Sequence, residues 1–234
     1  MKTYFENMCL DFNIELTDEM IEQFFLYKEL LQEWNEKINL TAITEEKEIL
    51  IKHFIDSLTI AKHIPQNAKI IDVGTGAGFP GIPVKIFRPD VEVILLDSLN
   101  KRINFLNEII EKCNLKGIKT IHGRAEEVAH KKEYREQFDI STARAVANIS
   151  TLSELCTPFL KLGGTFICMK ADVDDEKKNA EKALEILGMK EENIEYITLP
   201  EIDANRTIIL YKKVKDTPKK YPRKPGTPAK EPIK

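Results

Sequence analysis

Apolar residues recur at three- and four-residue spacing from Met20 through Ile21, Phe24, Phe25 and Leu31 to Trp34, which predicts an amphipathic helix over 18–36. Thr17 is placed to cap its N-terminus, with Asp18 and Glu19 in the first turn. A break at Asn39-Leu40-Thr41 leads to a second predicted helix over 45–60. From Lys69 the period changes to apolar runs alternating with helical stretches, the pattern of a parallel sheet. Strands are predicted at 69–73, 91–97, 118–122, 138–142 and 164–169, with helices at 83–88, 100–113, 150–161 and 175–188. Two further strand-like runs, 193–199 and 206–213, are joined by a connection too short for a crossover helix, so they should pair antiparallel.

The first predicted strand ends in Asp72-Val73-Gly74-Thr75-Gly76-Ala77-Gly78-Phe79-Pro80-Gly81. Glycines at such a turn admit positive φ and let backbone approach a ligand, and Pro83 fits the first turn of the helix that follows. Strand, glycine turn and helix N-terminus together present backbone donors to a nucleotide-like ligand. Gly76-x-Gly78-x-x-Gly81 matches the dinucleotide fingerprint, and Asp97 ends the next strand where an acid would accept from ribose hydroxyls. That acid would serve NAD or S-adenosylmethionine equally. Three features favour the second: the glycines begin right after Asp72-Val73, a hairpin closes the sheet, and His122-Gly123-Arg124-Ala125-Glu126 can border an adenine. The bland alternative for the last feature is a strand-ending turn with a helix-start glutamate. A phosphate-binding P-loop is excluded, since no Gly-Lys-Ser/Thr follows.

Composition adds an asymmetry. Residues 212–234 carry nine Lys/Arg against two acids, a local charge of +7 in a chain whose net charge is −3, which leaves −10 on the remainder. A basic, proline-rich tail on an acidic body points to a polyanionic partner, or to a merely solvated tail. The cysteines, Cys9, Cys113, Cys156 and Cys168, form no C-x-x-C pair. That argues against a zinc site or disulfide framework and fits a reducing compartment. With neither a signal-peptide pattern nor an apolar run of membrane-spanning length, the expectation is a cytoplasmic protein with no metal. No coiled-coil seam is visible, so a monomer is expected. His53 and Asp56 share one helix face as either an acid–base pair or a structural hydrogen bond; the lack of a nucleophile in register favours the second.

The stretches D-V-G-T-G-A-G-F-P-G-I-P and L-L-D-S-L-N-K-R-I-N-F-L resemble the RsmG (GidB, glucose-inhibited division protein B) family. N-L-T-A-I at 39–43, H-F-I-D-S-L at 53–58, S-T-A-R-A-V at 141–146 and Y-P-R-K-P-G-T-P-A-K at 221–230 extend the resemblance over nearly the whole chain. It implies a Rossmann-like class I fold, α/β with a seven-stranded mixed sheet, mostly parallel with the last strand antiparallel, and an N-terminal helical extension. The expected division is 1–64 for the extension, 65–215 for the methyltransferase domain and 216–234 for the tail. The implied activity is S-adenosylmethionine-dependent methylation of guanine N7 in the decoding-region loop of 16S rRNA, acting on that RNA or on the small ribosomal subunit. By position, the family's cofactor site falls on Gly74, Phe79, Ala125 with Glu126, and Arg144. To these the residues themselves add Gly76 and Gly78 for close approach and Asp97 for ribose. Phe79 has the alternative of anchoring the loop in the core, and Arg144 that of pairing with an acid.

Guanine N7 has a free lone pair, so its methylation asks for positioning rather than a general base. The sequence lacks the Asn/Asp-Pro-Pro-aromatic signature of amino-group methylation and the Pro-Cys dipeptide of pyrimidine C5 methylation. No catalytic residue is therefore assigned. For RNA, Lys219, Lys220, Arg223 and Lys224 are candidate phosphate contacts with Tyr221 for stacking, and Lys101 and Arg102 flank the expected cofactor mouth. An NAD-dependent oxidoreductase, a small-molecule methyltransferase and a non-catalytic ribosome-assembly factor are the alternatives.

Overall fold

A computed structural model describes residues 1–144, 147–171, 173–201 and 204–234. The last two residues of the 141–146 motif and part of the 200–205 connection lie outside these. The chain opens with α1 (Lys2–Leu10) and α2 (Asp18–Ile38), the latter capped by Thr17, whose hydroxyl accepts from the Met20 amide. The helix predicted over 45–60 is not uniform. It begins as α3 (Glu46–Glu48), widens into a π-helical stretch over Ile49–Ile55, and closes as α4 (Asp56–Leu58). His53 and Asp56 sit in and just after the wide turns.

The sheet holds β1 (Lys69–Val73), β2 (Glu92–Asp97), β3 (Ile118–His122), β4 (Phe138–Arg144), β5 (Leu160–Lys170), β6 (Met189–Leu199) and β7 (Ala204–Lys213). Their order is β3-β2-β1-β4-β5-β7-β6, with β7 antiparallel to both of its neighbours and inserted between them. This is the expected Rossmann-like, seven-stranded mixed sheet. Between the strands lie α5 (Gly81–Phe87), α6 (Asn100–Lys112), α7 (Ala125–Val128), α8 (Ile149–Cys156) and α9 (Asp174–Leu187), and α10 (Thr227–Lys230) falls in the tail. Helix α8 is shorter than the predicted 150–161 because Pro158 lies within a 3₁₀ turn at Thr157–Phe159. Strand β5 starts earlier than its apolar core because Leu160 pairs with Phe138 of β4, and β6 because its antiparallel pairing with β7 begins at Met189.

The apolar stripe of α2 is buried in one cluster with residues of α5, α6 and the sheet, Phe24, Phe54, Ile82, Leu95, Phe105 and Ile140 among them. A second cluster covers the other face and includes Leu152, Phe166, Ala180 and Tyr211, together with Tyr221 and Ile233 of the tail. The tail is therefore not a free loop. Ser150 and Thr151 of α8 donate to the carbonyls of Ile233 and Pro228, and Arg135 donates to those of Tyr221 and Thr217.

Candidate active site

Winding reverses at β1, which pairs with β2 on one side and β4 on the other. In such sheets the crevice at the carboxyl ends of these strands receives ligands. The glycine turn leaves β1 there. Asp97 ends β2, Ala125 and Glu126 follow β3, and Arg144 ends β4, so the fold brings the sequence-derived cofactor residues to one edge of the sheet.

The turn is held from below by two carboxylates. Asp72 Oδ2 accepts from the Thr75 hydroxyl at 2.7 Å and from the Gly81 amide at 2.8 Å. Burial pushes the Asp72 carboxyl up from 3.8 to about 6, against the pull of those donors. Asp97 Oδ2 accepts from the Gly76 amide at 2.9 Å and from Arg102 at 3.2 Å, while Oδ1 accepts from the Leu99 amide at 2.9 Å. Of roughly four acceptor positions on a carboxylate, Asp97 has filled three, leaving about one for a further donor. Gly74, Gly76 and Gly78 all have positive φ. A Cβ at Gly76 would meet nothing closer than 4.0 Å, so a ligand can approach its backbone, whereas one at Gly78 would strike Ile82 at 2.6 Å and the Tyr27 hydroxyl at 2.8 Å. The first glycine fits a cofactor cradle. At the second, the missing Cβ makes room for Ile82 and the Tyr27 hydroxyl.

Phe79 is buried, and its ring stacks on His53 at 4.3 Å while the Arg144 guanidinium lies 4.8 Å from its centroid. Arg144 also donates to Asp56 at 3.0 Å and to the carbonyl of Lys52 at 3.1 Å. The structural pairing weighed for Arg144 is thus present. His53 does not bond Asp56; both meet Arg144 instead. An arginine cannot accept, so His53 Nδ1, 3.2 Å from Arg144, is the acceptor and Nε2–H points to the Thr41 hydroxyl at 2.9 Å. Burial and the neighbouring guanidinium press this imidazole from 6.5 down to about 3. A ring so held is neutral and a poor proton acceptor. Cys168 is likewise pushed up to about 12 by burial, so it offers no thiolate.

Two of the RNA candidates are not as expected. Tyr221 is 7% exposed because its ring fills the second apolar cluster, so it is no stacking platform. Arg223 holds Glu154 through both ends of its guanidinium, at 2.9 and 2.7 Å, and is spent on docking the tail. Arg102 pairs with Asp97, while Lys101, Lys219, Lys220 and Lys224 are exposed. Glu126 accepts from the Gly226 amide at 2.9 Å, which brings the tail beside the turn after β3. Among the described residues no group of three or more His, Cys, Asp or Glu can hold a metal, and no helix is long and apolar enough to cross a membrane.

Sequence reasoning missed Tyr27, whose hydroxyl bonds the glycine turn, and Arg206, which reaches Asp56 from β7 at 3.2 Å. Tyr27 lay in sight, three residues after Phe24 on the apolar stripe. Arg206 gave no signal, since only the hairpin's return across the sheet brings it here.

A solved S-adenosylmethionine-dependent methyltransferase from Aquifex aeolicus matches with a TM-score of 0.55 at 16% identity, over 75% of this chain and 97% of that one. M. jannaschii TYW2 in complex with AdoMet gives 0.53 at 14%, over 68% and 73%. Both likenesses speak for the fold. At the sequence level, the Ribosomal RNA small subunit methyltransferase G of Acetivibrio thermocellus is 55% identical over 223 residues, spanning 95% of this chain and 92% of the relative. The family described as GidB, rRNA small subunit methyltransferase G, matches residues 20–207. The glycine turn, strands β1 to β6 and helices α5 to α9 fall within that match, and the chain belongs to the rRNA small subunit methyltransferase G family.

Proposed function

We propose that the protein methylates N7 of a guanine in the decoding-region loop of 16S rRNA, as a single chain in the cytoplasm. Membership of the family carries this reading. When bound, S-adenosylmethionine supplies an electrophilic methyl that a lone pair can take with no proton leaving. The residues proposed to hold it are Gly74, Gly76, Gly78, Phe79, Asp97, Ala125, Glu126 and Arg144, with Gly76 offering bare backbone and Asp97 its remaining acceptor position.

The absence of proton transfer at N7 accords with the groups beside the turn. His53 is neutral with both nitrogens engaged, so its part is to orient Phe79 and Arg144. Rate then derives from holding the base in line, a contribution that scales with rigidity. Exposed Lys101, Lys219, Lys220 and Lys224 are proposed to meet RNA phosphates. In functional terms the chain divides into the helical extension 1–64, the methyltransferase domain 65–215 and the tail 216–234.

The test is incubation with methyl-labelled S-adenosylmethionine and small ribosomal subunits or their RNA, followed by strand cleavage directed at N7-methylguanine. Label at one guanine of the decoding region is expected. RNA binding without label would make the protein an assembly factor, and NAD binding without S-adenosylmethionine binding an oxidoreductase; either result overturns the reading.

A further inference from the structure

Beside the glycine turn, at the carboxyl ends of β4 and β5, lies a cavity of about 460 Å³ whose lining includes Lys52, His53, Asp56, Arg144, Lys170 and Arg206. A volume in this range accommodates a nucleotide. One wall is continuous with the turn, since the His53 ring that lines the cavity stacks on Phe79. Lys52, Arg144, Lys170 and Arg206 outnumber the two lining carboxylates, Asp56 and Glu176, which suits a phosphate-bearing ligand.

Asp56 is the unusual member. It is 2% exposed, and Oδ2 takes both arginines, Arg144 at 3.0 Å and Arg206 at 3.2 Å. Oδ1 has no hydrogen-bond partner among the described residues. A buried carboxylate oxygen left without a donor is costly, and Asp56 lines the cavity, so a ligand seated there can supply the missing donor.

Resting on the reading that the substrate is an RNA guanine, we propose that this cavity receives the acceptor base and that Asp56 and Arg206 read its Watson–Crick edge. Guanine presents there an acceptor, O6, beside a donor, N1–H. The protein presents the complement, a guanidinium donor beside a carboxylate acceptor. Adenine reverses the order, with a donor at N6 and an acceptor at N1, so both contacts become repulsive or unpaired. N7 lies on the other edge of the ring and stays free. As N7 takes the methyl the ring becomes cationic and N1–H more acidic. Its bond to the Asp56 carboxylate therefore strengthens toward the transition state, which is the condition for raising rate rather than ground-state affinity alone.

The test compares rRNA substrates, as fragments or reconstituted subunits, that carry guanine, inosine or 2-aminopurine at the methylated position. Inosine keeps O6 and N1–H; 2-aminopurine has neither. Wild-type protein is expected to accept inosine within about 10-fold of guanine and to reject 2-aminopurine by roughly 10³-fold or more in kcat/KM. In Asp56→Asn and in Arg206→Met the inosine to 2-aminopurine ratio should fall by about 100-fold, while in Arg206→Met calorimetric affinity for S-adenosylmethionine stays within about 3-fold. Comparing the ratio in variant and wild type cancels the intrinsic reactivity of each base, and a purely structural role would slow both substrates alike and leave it unmoved. Asp56 lies between two arginines, so if Asp56→Asn fails to fold, Arg206→Met decides. A ratio unchanged in the folded variant overturns the proposal. Failure of wild-type protein to label even the guanine substrate is a different result, and it overturns the functional reading along with this one.

Discussion

The Tyr27 hydroxyl, midway along α2, donates to the carbonyl of Ala77 in the glycine turn. Its ring is fully buried, stacked on Phe54 at 5.3 Å and tilted against Phe79 at 5.5 Å. An N-terminal helix thereby grips the loop that leaves β1. Burial holds the phenol well above its usual range, so it remains a donor at every physiological pH. Tyr27→Phe keeps the packing and strands the Ala77 carbonyl, for an expected loss of about 1–2 kcal/mol in stability. Because the stranded group sits in the turn, affinity for S-adenosylmethionine should fall several-fold in calorimetry. Lost stability with unaltered affinity would mean that α2 supports the core without shaping the turn.

Two glycines separate packing from strain. Gly78 has φ +98°, and a Cβ there would lie 2.6 Å from Ile82 and 2.8 Å from Tyr27. Gly163 has φ +81° with nothing within 4 Å of its Cβ position. Both Ala variants incur backbone strain of about 1 kcal/mol or more. Only Gly78→Ala must also push α5 and α2 away from the turn. Gly78→Ala is expected to abolish measurable S-adenosylmethionine binding, while Gly163→Ala lowers Tm by a few degrees and leaves methyl transfer intact.

His53 and Asp72 carry opposite pH dependences. The His53 imidazole is depressed to about 3 from 6.5, so the unfolded chain takes its proton first as pH falls. Stability present above pH 6.5 is lost progressively toward pH 3, by up to on the order of 4 kcal/mol. Asp72 is raised to about 6 from 3.8, so the native state holds the proton longer and stability falls as pH rises between those values. Over roughly pH 4 to 6 the two partly cancel. His53→Gln removes the first contribution, so urea midpoints of the variant should rise relative to wild type as pH drops from 7 to 4.5. The opposite trend would mean that the ring is charged in the fold. Methyl transfer by wild-type protein should show no inflection from His53 between pH 5.5 and 8.

What was legible in the sequence and what was not divides along physical lines. The glycine turn, Thr17 and the alternation of strands and helices are local signals, and the sheet follows from them. The β6–β7 hairpin was readable because its connection is too short to cross the sheet. The π-helical stretch at 49–55 was not readable, since its apolar residues fit an α-helical stripe as well. Tyr221 and Arg223 misled because a basic, proline-rich run has the composition of a solvated tail. Their destination depends on Glu154, buried in α8 and distant in sequence. Asp56 is visible in the sequence, but its partners in the fold are Arg144 on β4 and Arg206 on β7 rather than His53, and no spacing rule connects them.

The tail offers a direct separation of docking from RNA attraction. Glu154 is fully buried and accepts from the Arg223 amide at 2.7 Å as well as from its guanidinium. Removing the cation leaves a buried charge uncompensated, so Arg223→Met should cost about 3–5 kcal/mol and release the tail to proteolysis. Lys219, Lys220 and Lys224 are exposed, and replacing all three with Gln should leave the urea midpoint unchanged. If each neutralises one phosphate of single-stranded RNA, the slope of log K against log salt should flatten by about 2. An unchanged slope would place the RNA elsewhere, on Lys101 and the cavity cations. A lowered urea midpoint in the triple variant would instead show that these lysines, like Arg223, hold the tail to the body.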